Sequence, residues 1–342
     1  MSDIAQLAGV SESTVSRALG GSPLISAPTR ARIRQIAAEQ GYTIDQTARN
    51  LRMQRTGTIG VVFPLLHEAG GGISDPFFLE MLGHLADEFH DRQHDLLLQK
   101  IGPQAPRGLA ALIAERRTDG LVIIGQSTQH ETLNELAASY KPLVVWGAPV
   151  PGAAYVTVGS DNAGGARAAA AHLLGLGHRR IAFFGDRSLP EVAARHAGYA
   201  AALHAAGLTL DPALECRAPF DQAGAQRAMS RFFDDADPGF DAIFAASDLL
   251  AMAAIRALDQ RGRRVPRDVA VVGFDDIMLA GAYTPALTTV RQDLRAGAAA
   301  LVDALFARMA GGSADATTLP ARLVVRTSCG ASAVPPVALA GD

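Results

Sequence analysis

Acidic and amide side chains recur at one kind of place in this sequence, directly after short apolar runs rich in β-formers. Asp75 and Phe77 come soon after TIGVVF, Gln126 and Ser127 follow GLVIIG, Trp146 closes PLVVW, and Asp161 follows VTVGS. Further on, RIAFFG leads to Asp186 and Arg195, DAIFAA to Ser247 and Asp248, and DVAVVGF to Asp275 and Asp276. Carboxylates accept from hydroxyls and a guanidinium donates. Several Asp with one Arg therefore suit a polyhydroxylated small molecule better than a lipid or a nucleotide triphosphate. Trp146, the only tryptophan, is expected to stack on the apolar face of a sugar ring. Asp161 and Asp248 have a second reading as helix caps, and Asp276 reads as structural.

A different chemistry is encoded at the start. In DIAQLAGVSESTVSRALG, Ile4, Ala5 and Ala8 make an apolar face, Gly9 supplies a turn, Ser11 is a natural N-cap, and Val15, Ala18 and Leu19 line a second helix. Helix, tight turn, helix is the geometry that lays a second helix in the DNA major groove. Glu12, Ser13, Ser16 and Arg17 then point outward. Arg17 can pair bidentately with guanine and Glu12 can accept from cytosine, while the serines reach bases or phosphates.

Catalytic and metal chemistry is poorly supported. His90 and His94 have the spacing of a metal pair on a helix, but no third ligand or HExxH glutamate accompanies them. GxSxG, GxxxxGK[ST] and a post-strand GxGxxG are all missing, and Asp275 and Asp276, as sequence neighbours, point apart. We therefore expect no cofactor, no metal and no enzyme.

These residues need elements to hold them. From Thr58 on, apolar β-rich runs alternate with helical stretches in two rounds, which predicts parallel sheets. The first round has helices at 77–90, 107–117 and 132–139, the second at 164–176, 192–206 and 249–260. Continuous apolar strands such as LVII and VAVV imply helices on both faces, hence two doubly wound lobes facing each other across a cleft. With 342 residues, 49% of them hydrophobic, there is ample core for this α/β body and a small all-α head. Residues 1–57 carry seven Arg against four acids, whereas the remainder holds 24 basic and 30 acidic residues, so the basic end is the one suited to an anionic partner. No long apolar span, no signal-peptide pattern and no CxxC appear, which points to a cytoplasmic chain with no membrane association and no disulfides.

Taken together, LAGVSESTVSRALGG, ARIRQIAAEQGYTIDQTARNLR, TGTIGVVFP, SDPFF, GSDNAGGARAAAAHLLGLGHRRIAFFG, FAASDLLAMAAIRAL, VPRDVAVVGFDD and PALTTVRQDL resemble, in order and spacing, the lactose-repressor/galactose-repressor family of bacterial transcription regulators. The resemblance runs from about Ser2 to Cys329 and implies a helix-turn-helix head at 1–45, a hinge helix and linker at 46–56, and a two-lobed sensing and dimerisation body of the type I periplasmic-binding-protein kind at 57–330. The first lobe would take 57–160 plus 291–320, the second 161–290 plus 321–330, and 331–342 would be a loose tail.

The same resemblance implies a homodimeric repressor on a palindromic double-stranded operator, switched by a small effector, a mono- or disaccharide. It makes Asp45 to Met53 a hinge that folds on DNA, with Leu51 wedging into the minor groove and Ala48, Arg49, Asn50 and Arg52 beside it. Asp75, Arg195, Ser247 and Asp275 match effector-touching positions, and Phe220 matches an aromatic pocket residue. The sequence departs from the family at two places: the residues that usually precede Ser2 are lacking, so that either Met1 is a misassigned start or Ser2 caps a shortened helix, and the glycine-rich loop LLHEAGGGIS (65–74) is long, suggesting a rim over the cleft. A sugar-binding protein or a sugar-processing enzyme without a DNA role is the competing reading, and the head discriminates against both.

Overall fold

The computed structural model describes residues 1–20, 22–42, 55–64, 75–101, 108–234 and 238–331. They fall into two compact units, Met1–Thr56 and Gly57–Asp342. The expected hinge (45–53), the rim loop (65–74) and the tail from 332 lie outside the described residues.

The first unit is three helices, α1 (Ser2–Ala8), α2 (Glu12–Leu19) and α3 (Ala27–Glu39). Gly9 ends α1 at φ 67°, the left-handed conformation that glycine adopts without a Cβ penalty. Ser11 starts α2 by accepting from the Thr14 N–H at 3.2 Å, and Ser26 starts α3 in the same way through Thr29 at 3.4 Å. Ile4, Ala5, Ala8, Val15, Ala18, Ile33 and Ala37 close the core, with Tyr42 packed against it. Ser2 is not the cap proposed for it: it lies inside α1, whose N-cap, Met1, makes no side-chain cap bond.

The second unit contains two six-stranded sheets. In the first, β1 (Thr58–Pro64) pairs in parallel with β2 (Asp95–Ile101) and β3 (Gly120–Ile124), and β4 (Leu143–Trp146), β5 (Val156–Ser160) and β11 (Thr317–Leu319) follow outward. In the second, β6 (Ile181–Phe184) lies between β7 (Glu215–Cys216) and β8 (Ala242–Ala245), followed by β9 (Ala270–Asp275), β10 (Thr288–Arg291) and the antiparallel edge β12 (Arg322–Val324). Period-two burial explains the layers. Ile59, Val61, Phe63, Val122, Ile124 and Val144 face one core, and Val62, Leu121, Ile123, Leu143 and Val145 face the other. Helices α4 (Pro76–Asp91) and α12 (Leu294–Met309) cover one face of the first sheet, and α5 (Leu109–Ala114) and α6 (His130–Ser139) the other. The second sheet carries α7 (Asn162–Gly175), α8 (Pro190–Ala205), α9 (Gln222–Asp234), α10 (Asp248–Asp259) and the short α11 (Met278–Ala282). Helix α5 is shorter than the predicted 107–117.

The backbone passes between the sheets after β5, after β10 and after β11. In both sheets the winding direction reverses beside the first strand, β1 against β3 and β6 against β8. Open parallel sheets bind ligands at the carboxyl ends of their strands, at that reversal.

Candidate functional site

In the first unit, burying Val15 and Ala18 against α1 and α3 forces the opposite face of α2 outward. Glu12, Ser13 and Arg17 are exposed and Ser16 half-buried, as the helix-turn-helix reading requires. The Ser13 hydroxyl shares a 2.9 Å hydrogen bond with Ser11, so the cap residue also orders the helix end that would meet DNA.

In the second unit the carboxyl ends of the strands gather a dense polar cluster around Arg195. Arg195 is 5% exposed, on the second turn of α8. Its Nε donates to Asn162 Oδ1 at 2.8 Å, Nη1 donates to the Ala246 carbonyl and lies 3.6 Å from Asp275 Oδ1, and the guanidinium sits 3.8 Å from the centre of the Phe274 ring. Asp275 also accepts from Gln292 Nε2 at 2.7 Å. Burial pushes its carboxyl up to about 7, with Arg195 pulling down and Asp75, from the other lobe, pushing up again. Asp275 and Asp276 have φ of 123° and 58°, values that non-glycine residues avoid and that cost on the order of 1–3 kcal/mol each. Such strain persists only where the surrounding contacts over-determine the backbone.

The two lobes meet here. Asp75 caps α4 by accepting from the Phe77 N–H at 2.9 Å, and its carboxyl is raised, first by burial. Phe77 packs against the cores of both lobes. Glu191, one turn before Arg195, accepts from the backbone N–H of Gln126 at 3.4 Å, a bond from the second lobe to the first. Burial raises the Glu191 carboxyl, and the nearby Arg195 and its hydrogen bonds oppose that rise. Asp248, fully buried, accepts from the Ile277 N–H at 2.9 Å and from the Thr289 hydroxyl, and burial with Asp275 beside it holds its pKa well above the ordinary range. The cluster thus holds more carboxylate than guanidinium, and buried carboxylates without a counter-charge keep protons or seek donors. Hydroxyl groups of a ligand are such donors.

Trp146 and Gln126 sit differently from what their positions after the strands suggest. Trp146 does not offer its face to the cleft: it is 5% exposed, in the first core, with its ring against Gly297 of α12. A Cβ at Gly297 would collide with Cζ3 of the indole. Gly297→Ala should therefore cost about 1–3 kcal/mol by overpacking; an unchanged urea midpoint would contradict this placement. Gln126 is buried with its amide turned into its own lobe, donating to the Ala148 carbonyl at 2.7 Å and to Tyr155 Oη at 3.0 Å, so only its backbone faces Glu191. Asp161 caps α7 through Gly164 N–H at 2.8 Å and is exposed, and Ser247 caps α10 through Leu250 N–H at 3.2 Å. Asp248, by contrast, does not cap α10, because its oxygens are engaged by Ile277 and Thr289. Asp276 is structural, held at 2.6 Å by both Arg291 and Arg326. Phe220 lines an apolar groove between α9 and α10 with Met229, Leu249, Ala253 and Tyr283.

Sequence reasoning missed Asn162, Glu191 and Gln292. Glu191 had a readable signal, its i, i+4 spacing to Arg195 on one helix face. Among the described residues no His, Cys, Asp and Glu group could hold a metal ion, and no helix is long and apolar enough to cross a membrane.

A helix-turn-helix unit joined to a two-lobed α/β body with polar groups at the strand ends defines a DNA-binding protein with a ligand cleft. The comparisons agree. Residues 1–45 match the model of bacterial regulatory proteins of the lacI family, and 170–329 match a periplasmic binding protein-like domain. The chain is 34% identical to the HTH-type transcriptional regulator CelR of Thermobifida fusca over 95% of this chain and 94% of that one, and 32% identical to AglR of Rhizobium meliloti over 96% and 94%. Among solved structures, a CelR–cellobiose complex is 31% identical with a TM-score of 0.71, covering 95% of this chain and 98% of that one. The chain belongs to the LacI family of transcriptional regulators.

Proposed function

We propose that this regulator is a repressor that binds a two-fold symmetric operator as a homodimer and is switched by a carbohydrate effector, a mono- or disaccharide, in the cleft between its lobes. The observation that carries the reading is the Arg195–Asp275 cluster, strained and buried where both lobes converge, on a chain whose first unit presents Arg17 on an exposed helix face. The cellobiose bound by CelR supports a carbohydrate. A dimer is supported by the apolar surface of the second lobe, where Met278 is 85% and Leu279 46% exposed near the groove at Tyr283. Its working place is the cytoplasm, where its DNA is.

Asp75, Arg195, Ser247 and Asp275 hold the effector in this reading, and Glu191 joins them. Closing the lobes on a ligand changes their angle through the three backbone passages between the sheets. Residues 45–53, with Ala48, Arg49, Asn50, Leu51 and Arg52, transmit that change to DNA as a hinge. Effector and operator then bias one equilibrium, each altering the other's affinity by the same factor, on the order of 5–150-fold.

The test is selection of duplexes from a random pool by the full chain, followed by fluorescence anisotropy on the winners with and without candidate sugars. Two-fold symmetric sites are expected to be enriched and to respond to a sugar. Arg17→Ala should lose about 1–3 kcal/mol of base discrimination and bind matched and mismatched sites more evenly. If no symmetric site is enriched over the pool, the reading fails.

A further inference from the structure

A cavity of about 390 Å³ is lined by residues that adjoin the Glu191–Gln126 contact in sequence, Ser127 on one side and Leu189 on the other. Ser127 and Thr128 line it from the first lobe, and Asp186, Ser188, Leu189, Arg217 and Pro219 from the second. Asp186 accepts from the Ser188 N–H at 3.0 Å and from Arg217 Nε at 3.1 Å. Burial pushes its carboxyl up, but these donors outweigh burial and hold it below the ordinary range. The Arg217 side chain remains 77% exposed, so its terminal N–H groups are available to a ligand. Three hydroxyls, an ionised carboxylate and a guanidinium, with Leu189 and Pro219 between them, can bond sugar hydroxyls and cover the apolar edge of a ring.

Helix α8 measures the distance between this cavity and Arg195. Ser188 stands two residues before the helix begins at Pro190, and Arg195 lies in its second turn. At about 1.5 Å per helical residue from Pro190 to Arg195 and at most about 3.3 Å for each of the two residues before it, the backbone separation of the two ends is up to roughly 14 Å. A six-membered ring built from bonds of ~1.5 Å spans only roughly 5–6 Å with its substituents. Glu191 sits between the ends, and its 3.4 Å bond to Gln126 is long enough to be exchanged easily for a ligand hydroxyl.

We infer that the effector occupies two subsites, an inner one at Arg195 and Asp275 and an outer one at Ser127, Thr128, Asp186, Ser188 and Arg217, so that the ligand is a molecule of two linked rings, a disaccharide, and not a single sugar. The inference rests on the carbohydrate reading above and narrows it.

Isothermal titration calorimetry of the full chain with cellobiose, maltose, lactose and sucrose, and with glucose, galactose and fructose, tests it. At least one disaccharide should bind about tenfold or more tightly than either of its own monosaccharides, the effect of two or more added hydrogen bonds to charged groups. Arg217→Ala and Asp186→Asn should each collapse that ratio towards one, with thermal melting of each variant confirming the fold. If a monosaccharide binds as tightly as any disaccharide and Asp275→Asn abolishes that binding, the two-subsite inference is overturned while the carbohydrate reading stands. A disaccharide preference that survives both outer variants also overturns it. If none of the seven sugars binds, both fall.

Discussion

Arg195→Ala is expected to yield a chain whose operator binding no longer responds to effector and whose body unfolds at lower denaturant. The guanidinium is the hub of the cleft: it donates to Asn162 and Ala246, faces Asp275 at 3.6 Å and stacks on Phe274. Its removal leaves Asp275, Glu191 and Asp248 without the nearby cation that favours their ionised forms. Breaking a buried ion pair by deleting one partner costs about 3–5 kcal/mol, because the remaining charge has no compensation. A urea titration should show this as a lowered midpoint. Arg195→Lys should recover part of the stability but not the response, since one ammonium cannot reproduce the planar fork that reaches Asn162 and Ala246 together. An effector response retained in both variants would remove Arg195 from the site.

Effector affinity should fall as pH is lowered through 7. In the free protein burial raises the Asp275 carboxyl to about 7, so below that pH it carries a proton. A sugar hydroxyl donating to Asp275 favours the ionised form and lowers its pKa in the complex, so binding below pH 7 must release a proton. The affinity then drops by up to about tenfold per unit below 7, and levels off above it. Calorimetry between pH 5.5 and 8.5, in buffers of different ionisation heat, measures both the affinity and the proton released. Asp275→Asn should flatten the profile as well as weaken binding. Affinity that rises as pH falls would mean that the protonated carboxyl is the binding form.

The patterned parts of this protein were legible from residues alone. The caps, the turn at Gly9 and the outward face of α2 are local, set within a few residues by a hydroxyl, a glycine and helical periodicity. The strand–helix alternation was equally plain where the strands are buried on both faces, as in GLVII and IAFF. It failed for β7, two residues long, and for the edge strands β11 and β12, three residues each and partly exposed, where no run is long enough to carry a period. The cleft was read by rule, from the residues that follow each strand. That rule picked Asp75, Arg195 and Asp275, which the fold brings close together, and it also picked Trp146, because a strand's last residue points to one face of its sheet or the other and sequence position does not say which neighbour waits there. Gly297, more than a hundred residues away, takes the indole.

What the sequence by itself determined is the set of parts: a helix-turn-helix, two parallel α/β lobes, and polar groups at the ends of their strands. These follow from interactions between residues close along the chain and from the period of apolar side chains. Only the tertiary structure decided which polar groups meet. Glu191 reaches Gln126, Gln292 reaches Asp275, and Asp248 turns away from its own helix to Ile277 and Thr289, because sheet order and lobe closure bring together residues whose separation in sequence carries no information about their distance in space.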